Sequence, residues 1–357
     1  MARYNYTEGT FSGKGSTPIA YKGWAADKPK GVVVIVHGIG EHSGRYSRIV
    51  DALGGKKISF FALDLRGHGL SQGERGHIDS FLDYIFDLKI FMNMVREAHH
   101  DLPIVMLGHS LGGAIACRYA LTYQNDLKGL VLSAPALTLN AKIPVIQRAA
   151  GQLLSVVTPK MEIVTGLDPH LLSHDEQEVA NYMSDPLVHN KITPRLYSEI
   201  LKNGEYCLDR AADIRLPLLI AHGGGDKIVS PKGSEVLFER ALSDDKQLLL
   251  IPELFHEIMN ETPRERAKAL SAIASWIVGH TIGKMVTIKV KVPKTAKAVK
   301  KAAVAEKPLA PAQTKKGPAK GPKKPVAKKK TKAAGKSVKG PHKTAQKISG
   351  KKGTRRS

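Results

Sequence analysis

The 357-residue sequence contains only two cysteines, Cys117 and Cys207, too few for a disulfide framework in a chain of this length. It has no apolar run long enough to span a bilayer. Its first residues lack the charged stretch and apolar run of a secretory signal. No cysteine and histidine residues have the spacing of a metal site, and no cofactor is implied. The sequence therefore predicts a protein of the reducing cytoplasm that uses neither metal nor cofactor.

Acidic and aromatic residues are almost absent from residues 281–357, the basic tail. The tail contains 25 Lys and Arg residues, a single acid (Glu306) and no Phe, Trp or Tyr, whereas residues 1–280 hold 30 basic and 31 acidic residues. Such a composition cannot bury enough apolar surface to offset the entropy lost on ordering, so we expect a disordered tail. Its charge suits non-specific contact with nucleic acid or an anionic membrane surface. A merely solubilising extension is the alternative.

Apolar runs without polar alternation recur through the rest of the chain, separated by helical patterns. After a predicted hairpin at residues 4–24, strand-like runs occupy residues 32–37, 58–65, 104–107, 127–135, 216–226 and 246–254, and helical patterns occupy residues 46–53, 81–96, 111–123, 232–242 and 264–278. Continuous apolar strands that alternate with helices indicate an α/β fold with a mostly parallel sheet covered on both faces.

Residues 138–196 interrupt this alternation. They contain no strand-like run, several prolines and short amphipathic stretches. We expect a helical cap, inserted after the strand that ends near Ala134 and lying over the carboxyl edge of the sheet, where open α/β sheets bind ligands. The chain is thus divided into a first core part (1–137), the cap (138–196), a second core part (197–280) and the basic tail.

Ser110 lies between a strand-like run and a helical pattern, in the sequence Gly108-His109-Ser110-Leu111-Gly112. Small residues two positions to either side allow a sharp turn that lifts the hydroxyl clear of the sheet, as in the G-x-S-x-G elbow of serine hydrolases. The short motif alone is equally compatible with an ordinary strand-to-helix turn and an N-cap serine.

Candidate partners for Ser110 follow later strands in the order Ser, Asp, His. Asp226 ends one strand-like run and His256 follows the next, which suits an orienting acid and a base. Taken singly, Asp226 could be a turn residue and His256 a structural histidine near a helix start. Backbone N–H groups of Ile39, in the loop after the third strand, and of Leu111 are candidates for the oxyanion hole.

Several stretches together resemble the monoacylglycerol lipase and lysophospholipase branch of the α/β-hydrolases, of the serine aminopeptidase S33 type. They are HGIGEHSGRY (37–46), DLRGHGLSQGERGH (64–77), GHSLGG (108–113), YMSDPLVH (182–189), HGGGDKIV (222–229) and FHEIMNE (255–261). The resemblance covers residues 4–280 and implies the α/β-hydrolase fold, an eight-stranded, mostly parallel sheet with the cap inserted after its sixth strand. It implies Ser110 as nucleophile, Asp226 as acid and His256 as base, with Ile39 and Leu111 at the oxyanion hole.

The same resemblance implies a polar pocket for the glycerol head group, lined by Glu41, Arg45 and Tyr182. Mammalian members have a second histidine three residues after the base, where this chain has Met259. Glu41 and Arg45 have a second interpretation, a structural ion pair that holds their loop.

These observations predict a serine carboxylester hydrolase that cleaves monoacylglycerol or lysophospholipid through an acyl-enzyme on Ser110. The alternative, from another functional class, is a polyanion-binding protein that acts through the basic tail, with the hydrolase domain secondary. The tail could also bring a cytoplasmic enzyme to a membrane surface or to the nucleoid.

Overall fold

A computed structural model describes residues 4–140 and 152–283, which contain an eight-stranded sheet of order β1-β2-β4-β3-β5-β6-β9-β10. The strands are β1 (Asn5–Ser12), β2 (Pro18–Ala25), β3 (Gly31–Val36), β4 (Ile58–Leu63), β5 (Ile104–His109), β6 (Gly129–Ser133), β9 (Leu218–Gly223) and β10 (Lys246–Ile251). The two short strands between them, β7 (Ile163–Val164) and β8 (Lys191–Ile192), form a separate antiparallel pair.

The sheet is parallel except at β2, which runs antiparallel to both of its neighbours, β1 and β4. The predicted hairpin therefore forms one edge of the predicted mostly parallel sheet. Every residue of β3, β5, β6 and β9 is buried. Burial on both faces explains why these strands are continuous apolar runs in the sequence.

Helices cover both faces, as the alternation of patterns predicted. They are α1 (Ser47–Ala52), α2 (Leu82–Ala98), α3 (Leu111–Tyr123), α4 (Glu176–Ser184), α5 (Pro194–Asp209), α6 (Pro231–Arg240) and α7 (Pro263–Ile282). Val32 and Val34 of β3 belong to the apolar core that contains α2 and α3, whereas Val33 and Ile35 belong to the core that contains α1 and α7. Successive side chains of one strand thus serve opposite faces.

The insertion after β6 carries α4, α5 and the β7–β8 pair. The expectation of no strand between residues 138 and 196 was wrong: two-residue strands are too short to produce an alternating pattern that the sequence could reveal. Asp175 caps α4 by accepting from Gln177 N–H at 3.1 Å, and Thr193 caps α5 by accepting from Leu196 N–H at 3.2 Å. The helix α5 crosses residue 196, where the sequence had suggested a domain boundary; that division stays a prediction.

The described part of the insertion contacts loops at the carboxyl edge of the sheet. The His189 N–H donates to the Gly40 carbonyl at 2.8 Å, in the loop after β3, and the Glu257 N–H donates to the Leu172 carbonyl at 2.8 Å, in the loop after β10. The insertion is therefore a cap over this edge, as expected from the place where it interrupts the strands.

The last helix continues to Ile282, four residues beyond its predicted end, and Gly283 follows it in the left-handed conformation at φ 78°. The helix thus extends two residues past the predicted start of the tail at residue 281, and that boundary stays a prediction. The remainder of the tail and residues 141–151 of the cap lie outside the described residues. No helix within 4–140 and 152–283 is long and apolar enough to cross a membrane.

Candidate active site

Ser110 stands in a strained backbone conformation between β5 and α3, with φ 52° and ψ −117°. A positive φ is uncommon for a residue other than glycine and costs free energy, so the surrounding packing must hold Ser110 in this conformation. Two glycines permit the turn: a Cβ on Gly112 would lie 2.1 Å from the Val36 carbonyl oxygen, and one on Gly108 would lie 2.4 Å from the Gly112 carbonyl oxygen. Only glycine allows β3, β5 and α3 to approach this closely, so the G-x-S-x-G spacing is a packing requirement here.

Asp226 and His256 are joined at the ends of the neighbouring strands β9 and β10. His256 Nδ1 lies 2.6 Å from Asp226 Oδ2, and both residues are at most 3% exposed. The other carboxylate oxygen, Oδ1, accepts the N–H groups of Ile228 and Val229 at 2.8 and 2.9 Å. The carboxylate is therefore fixed by its own loop and oriented toward the imidazole.

Electrostatics keep Asp226 charged and favour protonation of His256. Burial disfavours the charged form of each, but their mutual attraction and hydrogen bond outweigh it. The pKa of Asp226 is accordingly lowered and that of His256 raised above its usual value of about 6.5. The neighbouring His109 has its pKa lowered to about 4 by burial and by His256, so it stays neutral where His256 titrates.

Ser110 is brought to the same sheet edge as this pair. The ring of His109, which precedes it, lies 4.9 Å from the ring of His256. Within residues 4–140 and 152–283 the Ser110 hydroxyl makes no hydrogen bond, to His256 or to any other group. Catalytic hydrogen bonds are often long before substrate binds.

The loop after β3 approaches Ser110 where the oxyanion hole was predicted. A Cβ on Gly38, the residue before Ile39, would lie 3.2 Å from the Ser110 Cβ. Leu111 is the first residue of α3, so its N–H has no intrahelical acceptor. The role of the Ile39 and Leu111 N–H groups in an oxyanion hole stays a prediction.

Glu41 and Arg45 lie in a buried group of charges, the Arg45 cluster, which comprises Glu41, Arg45, Arg48, Glu178 and Glu257. Arg45 Nη1 lies 2.8 Å from Glu41 Oε2, and the Tyr182 ring lies 4.8 Å from the guanidinium carbon. Glu41 Oε1 also accepts the Gly38 N–H at 2.5 Å and the Tyr46 hydroxyl at 2.7 Å. The pair also lines a small pocket that reaches His109 and Met259. Both interpretations of Glu41 and Arg45, a head-group pocket and a structural ion pair, stay predictions.

Three polar contributors to the site were not predicted as such. His222, at the end of β9, binds Asp226 Oδ2 through Nε2 at 3.0 Å and Ser234 Oγ through Nδ1 at 2.7 Å. Glu257 and Glu178 bind Arg45. A charged residue next to the candidate base was a signal for Glu257, but no local pattern marks Glu178.

Within the described ranges, no group of three or more His, Cys, Asp and Glu residues could hold a metal ion.

The sequence profile of the serine aminopeptidase S33 family matches residues 27–263. The chain belongs to this family. It is 35% identical to the monoacylglycerol lipase of Mycolicibacterium smegmatis over 78% of its own length and all of that protein. It is 32% identical to the phospholipase YtpA of Bacillus subtilis over 68% of its length and 93% of that protein. The crystal structure of Paleococcus ferrophilus monoacylglycerol lipase superposes with a TM-score of 0.66 at 34% identity, covering 77% of this chain and 99% of that one. The resemblance seen in the motifs and the α/β-hydrolase fold are confirmed.

Asp226→Asn tests the pairing with His256. Without the carboxylate charge, the imidazole loses its orientation and the support for its protonated form, so we expect ester turnover to fall by roughly three to four orders of magnitude. In the unsubstituted protein, activity should decline with acidification at a pH above about 6.5, since the pKa of His256 is raised. The measurement is kcat/KM against pH on a soluble ester, with Asp213→Asn, whose side chain is 45% exposed, as control. An unchanged rate for Asp226→Asn contradicts the assignment.

Proposed function

We propose that the protein is a serine carboxylester hydrolase acting on lipid esters, with monoacylglycerol as the preferred substrate. The observation that carries the proposal is the strained Ser110 at the same sheet edge as the buried Asp226–His256 pair. The relatives named as monoacylglycerol lipase and phospholipase support the lipid ester.

In the proposed reaction, Ser110 Oγ attacks the ester carbonyl while His256 Nε2 accepts the hydroxyl proton. The carbonyl oxygen gains the negative charge, which the N–H groups of Ile39 and Leu111 stabilise; one such donor contributes roughly 3–4 kcal/mol. His256 then gives its proton to the leaving alcohol, and the acyl group stays on Ser110. A water molecule, deprotonated by the same His256, then attacks the acyl carbonyl; as the bond to Ser110 Oγ breaks, His256 returns the proton to that oxygen and the fatty acid leaves. Asp226 holds His256 Nδ1 throughout.

Ser110→Ala is the first test. The variant should fold normally, fail to react with a fluorophosphonate probe and lose nearly all ester turnover, because the three groups act as one unit. Ser271→Ala, an exposed serine of α7, is the matched control and should label like the unsubstituted chain. Fluorophosphonate labelling that persists in Ser110→Ala would contradict the assignment of Ser110 as the nucleophile.

We place the head group of the substrate against Glu41, Arg45 and Tyr182, whose ring lies on the Arg45 guanidinium. Hydrogen bonds within their own loop already occupy Glu41 and Arg45. The two side chains therefore contribute fixed charges to the site rather than free donors and acceptors. The Arg45 cluster contains three carboxyl groups and two guanidinium groups, an excess of negative charge. A surface with this charge favours a neutral glycerol group and repels a phosphate group.

The charge of this pocket predicts head-group selectivity. At equal acyl chains, we expect kcat/KM to be at least roughly tenfold higher for a monoacylglycerol than for the anionic lysophosphatidylglycerol, since a like charge nearby costs on the order of 1–3 kcal/mol. Micelle-free assays with medium-chain substrates measure this ratio. Equal rates on both lipids exclude the pocket as a charge filter and favour a purely structural role for Glu41 and Arg45.

For the basic tail, we propose electrostatic attachment to a polyanion, supported by its 25 basic residues against one acid. Truncation after Gly283 should leave turnover of soluble esters unchanged and abolish retention on duplex DNA and on anionic vesicles. Affinity of the full chain should fall log-linearly with salt. Comparison of DNA, phosphatidylserine vesicles and neutral vesicles at about 0.15 M salt identifies the surface. If none of these retains the full chain, the tail is a solubilising extension.

A further inference from the structure

Glu257, the residue after the candidate base, is buried yet fully charged. It is 4% exposed, and its two carboxylate oxygens accept Arg45 Nη1 and Nη2, each at 2.8 Å. Burial disfavours the charge, but Arg45 outweighs it and lowers the pKa of Glu257 to about 2. A buried, two-pronged ion pair is costly to desolvate, and an apolar side chain would fill the same space. Its presence next to His256 therefore needs an explanation beyond packing.

The loop that carries His256 is tied down through Glu257. The Glu257 N–H donates to the Leu172 carbonyl of the cap at 2.8 Å. Asn260, three residues further on, donates its side-chain amide to Glu257 Oε2 at 2.9 Å and its backbone N–H to the Glu257 carbonyl at 2.8 Å. The position of Glu257, and with it the backbone beside His256, is thus fixed by hydrogen bonds of both its main chain and its side chain.

A closed ring of polar contacts connects this loop to cap helix α4. Arg45, which holds Glu257, lies 3.2 Å from Glu178 of α4. Glu178 lies 2.7 Å from Arg48, and Arg48 donates to Asn260 Oδ1 at 2.8 Å. Asn260 closes the ring at Glu257. Three separate parts of the chain meet here: the segment of Arg45 and Arg48, the cap, and the loop of the candidate base.

We propose that Glu257 is a positioning residue of the reaction, and that its ring with Arg45, Glu178, Arg48 and Asn260 makes the placement of His256 depend on the docked cap. The inference rests on the proposed function, in which His256 activates Ser110. It adds a role for two glutamates that act on the reaction through the placement of His256 and not through the reacting atoms.

The charge of Glu257 also acts on His256 directly. The groups that face the imidazole are Asp226 from the loop after β9, Glu41 from the loop after β3, Glu257 from its own loop and the neutral His109 from β5. The three carboxylates all raise the pKa of His256. Removal of the Glu257 charge lowers it, and the guanidinium of Arg45, then less neutralised, acts in the same direction.

Glu257→Gln and Glu178→Gln, with Glu176→Gln as control, test the proposal in the full-length protein. Glu176 lies in the same first turn of α4 as Glu178 but is exposed, so both α4 variants lose the same helix-dipole interaction. The readout is the second-order rate of fluorophosphonate labelling at Ser110 against pH, corrected for the folded fraction from thermal unfolding.

We expect Glu257→Gln to label roughly tenfold more slowly on the alkaline plateau, with the midpoint of the acidic limb moved to lower pH by roughly half a unit or more. Glu257→Asp, which keeps the charge but shortens the reach, should restore the midpoint and not the plateau. Glu178→Gln should lower the plateau by a similar factor, and Glu176→Gln should match the unsubstituted protein.

The outcomes distinguish a failure of the proposed function from a failure of the positioning role of Glu257. An unsubstituted protein that does not label at Ser110 overturns the proposed function itself. If it labels, and Glu257→Gln and Glu178→Gln match it at every pH, the positioning role is overturned. A loss in Glu257→Gln that is uniform over pH, without a shift of the midpoint, also overturns it. Should Glu257→Gln fail to fold, the plateau of Glu178→Gln decides.

Discussion

The guanidinium group of Arg45 is the interaction on which the arrangement at this sheet edge depends. It is 7% exposed and lies against carboxylates from three places: its own loop, the cap and the loop after β10. A buried guanidinium without partners would cost several kcal/mol. Arg45 therefore links its own loop, helix α4 of the cap and the loop after β10. It acts together with the backbone contacts of Glu257 with Leu172 and of His189 with Gly40.

A second constraint, steric rather than electrostatic, fixes Ser110. The approach of α3 to β3 at Gly112 forces the turn into the positive-φ region, and the buried strands on either side prevent its relaxation. The hydroxyl is therefore placed by backbone packing, whereas His256 is placed by polar contacts with Asp226 and through Glu257. The two halves of the candidate site have different physical origins, and they respond to different substitutions.

The sequence predicted the part of this structure that depends on local patterns. Fully buried strands produce continuous apolar runs, so the sheet and its flanking helices could be predicted. The positions of Ser110, Asp226 and His256 after β5, β9 and β10 followed from the same runs. The β7–β8 pair could not be predicted, because two residues are too few to show the alternation of a strand. The ends of helices are also poorly marked in the sequence. One more turn of α7 changes the folding free energy little, because Ile282 still packs against the core.

The charged partners of the site lay beyond such patterns for a different reason. Glu178 is separated from Arg45 by 133 residues, and nothing in its own segment distinguishes it from the exposed Glu176 two positions earlier. The hydrogen-bonding capacity of Arg45 identifies the partner, and it does so only after the cap has been placed. Once Glu257 and Glu178 share one guanidinium, a movement of the cap cannot leave the loop of His256 undisturbed. The same cluster therefore joins the surface that would recognise a head group to the base that would act on it.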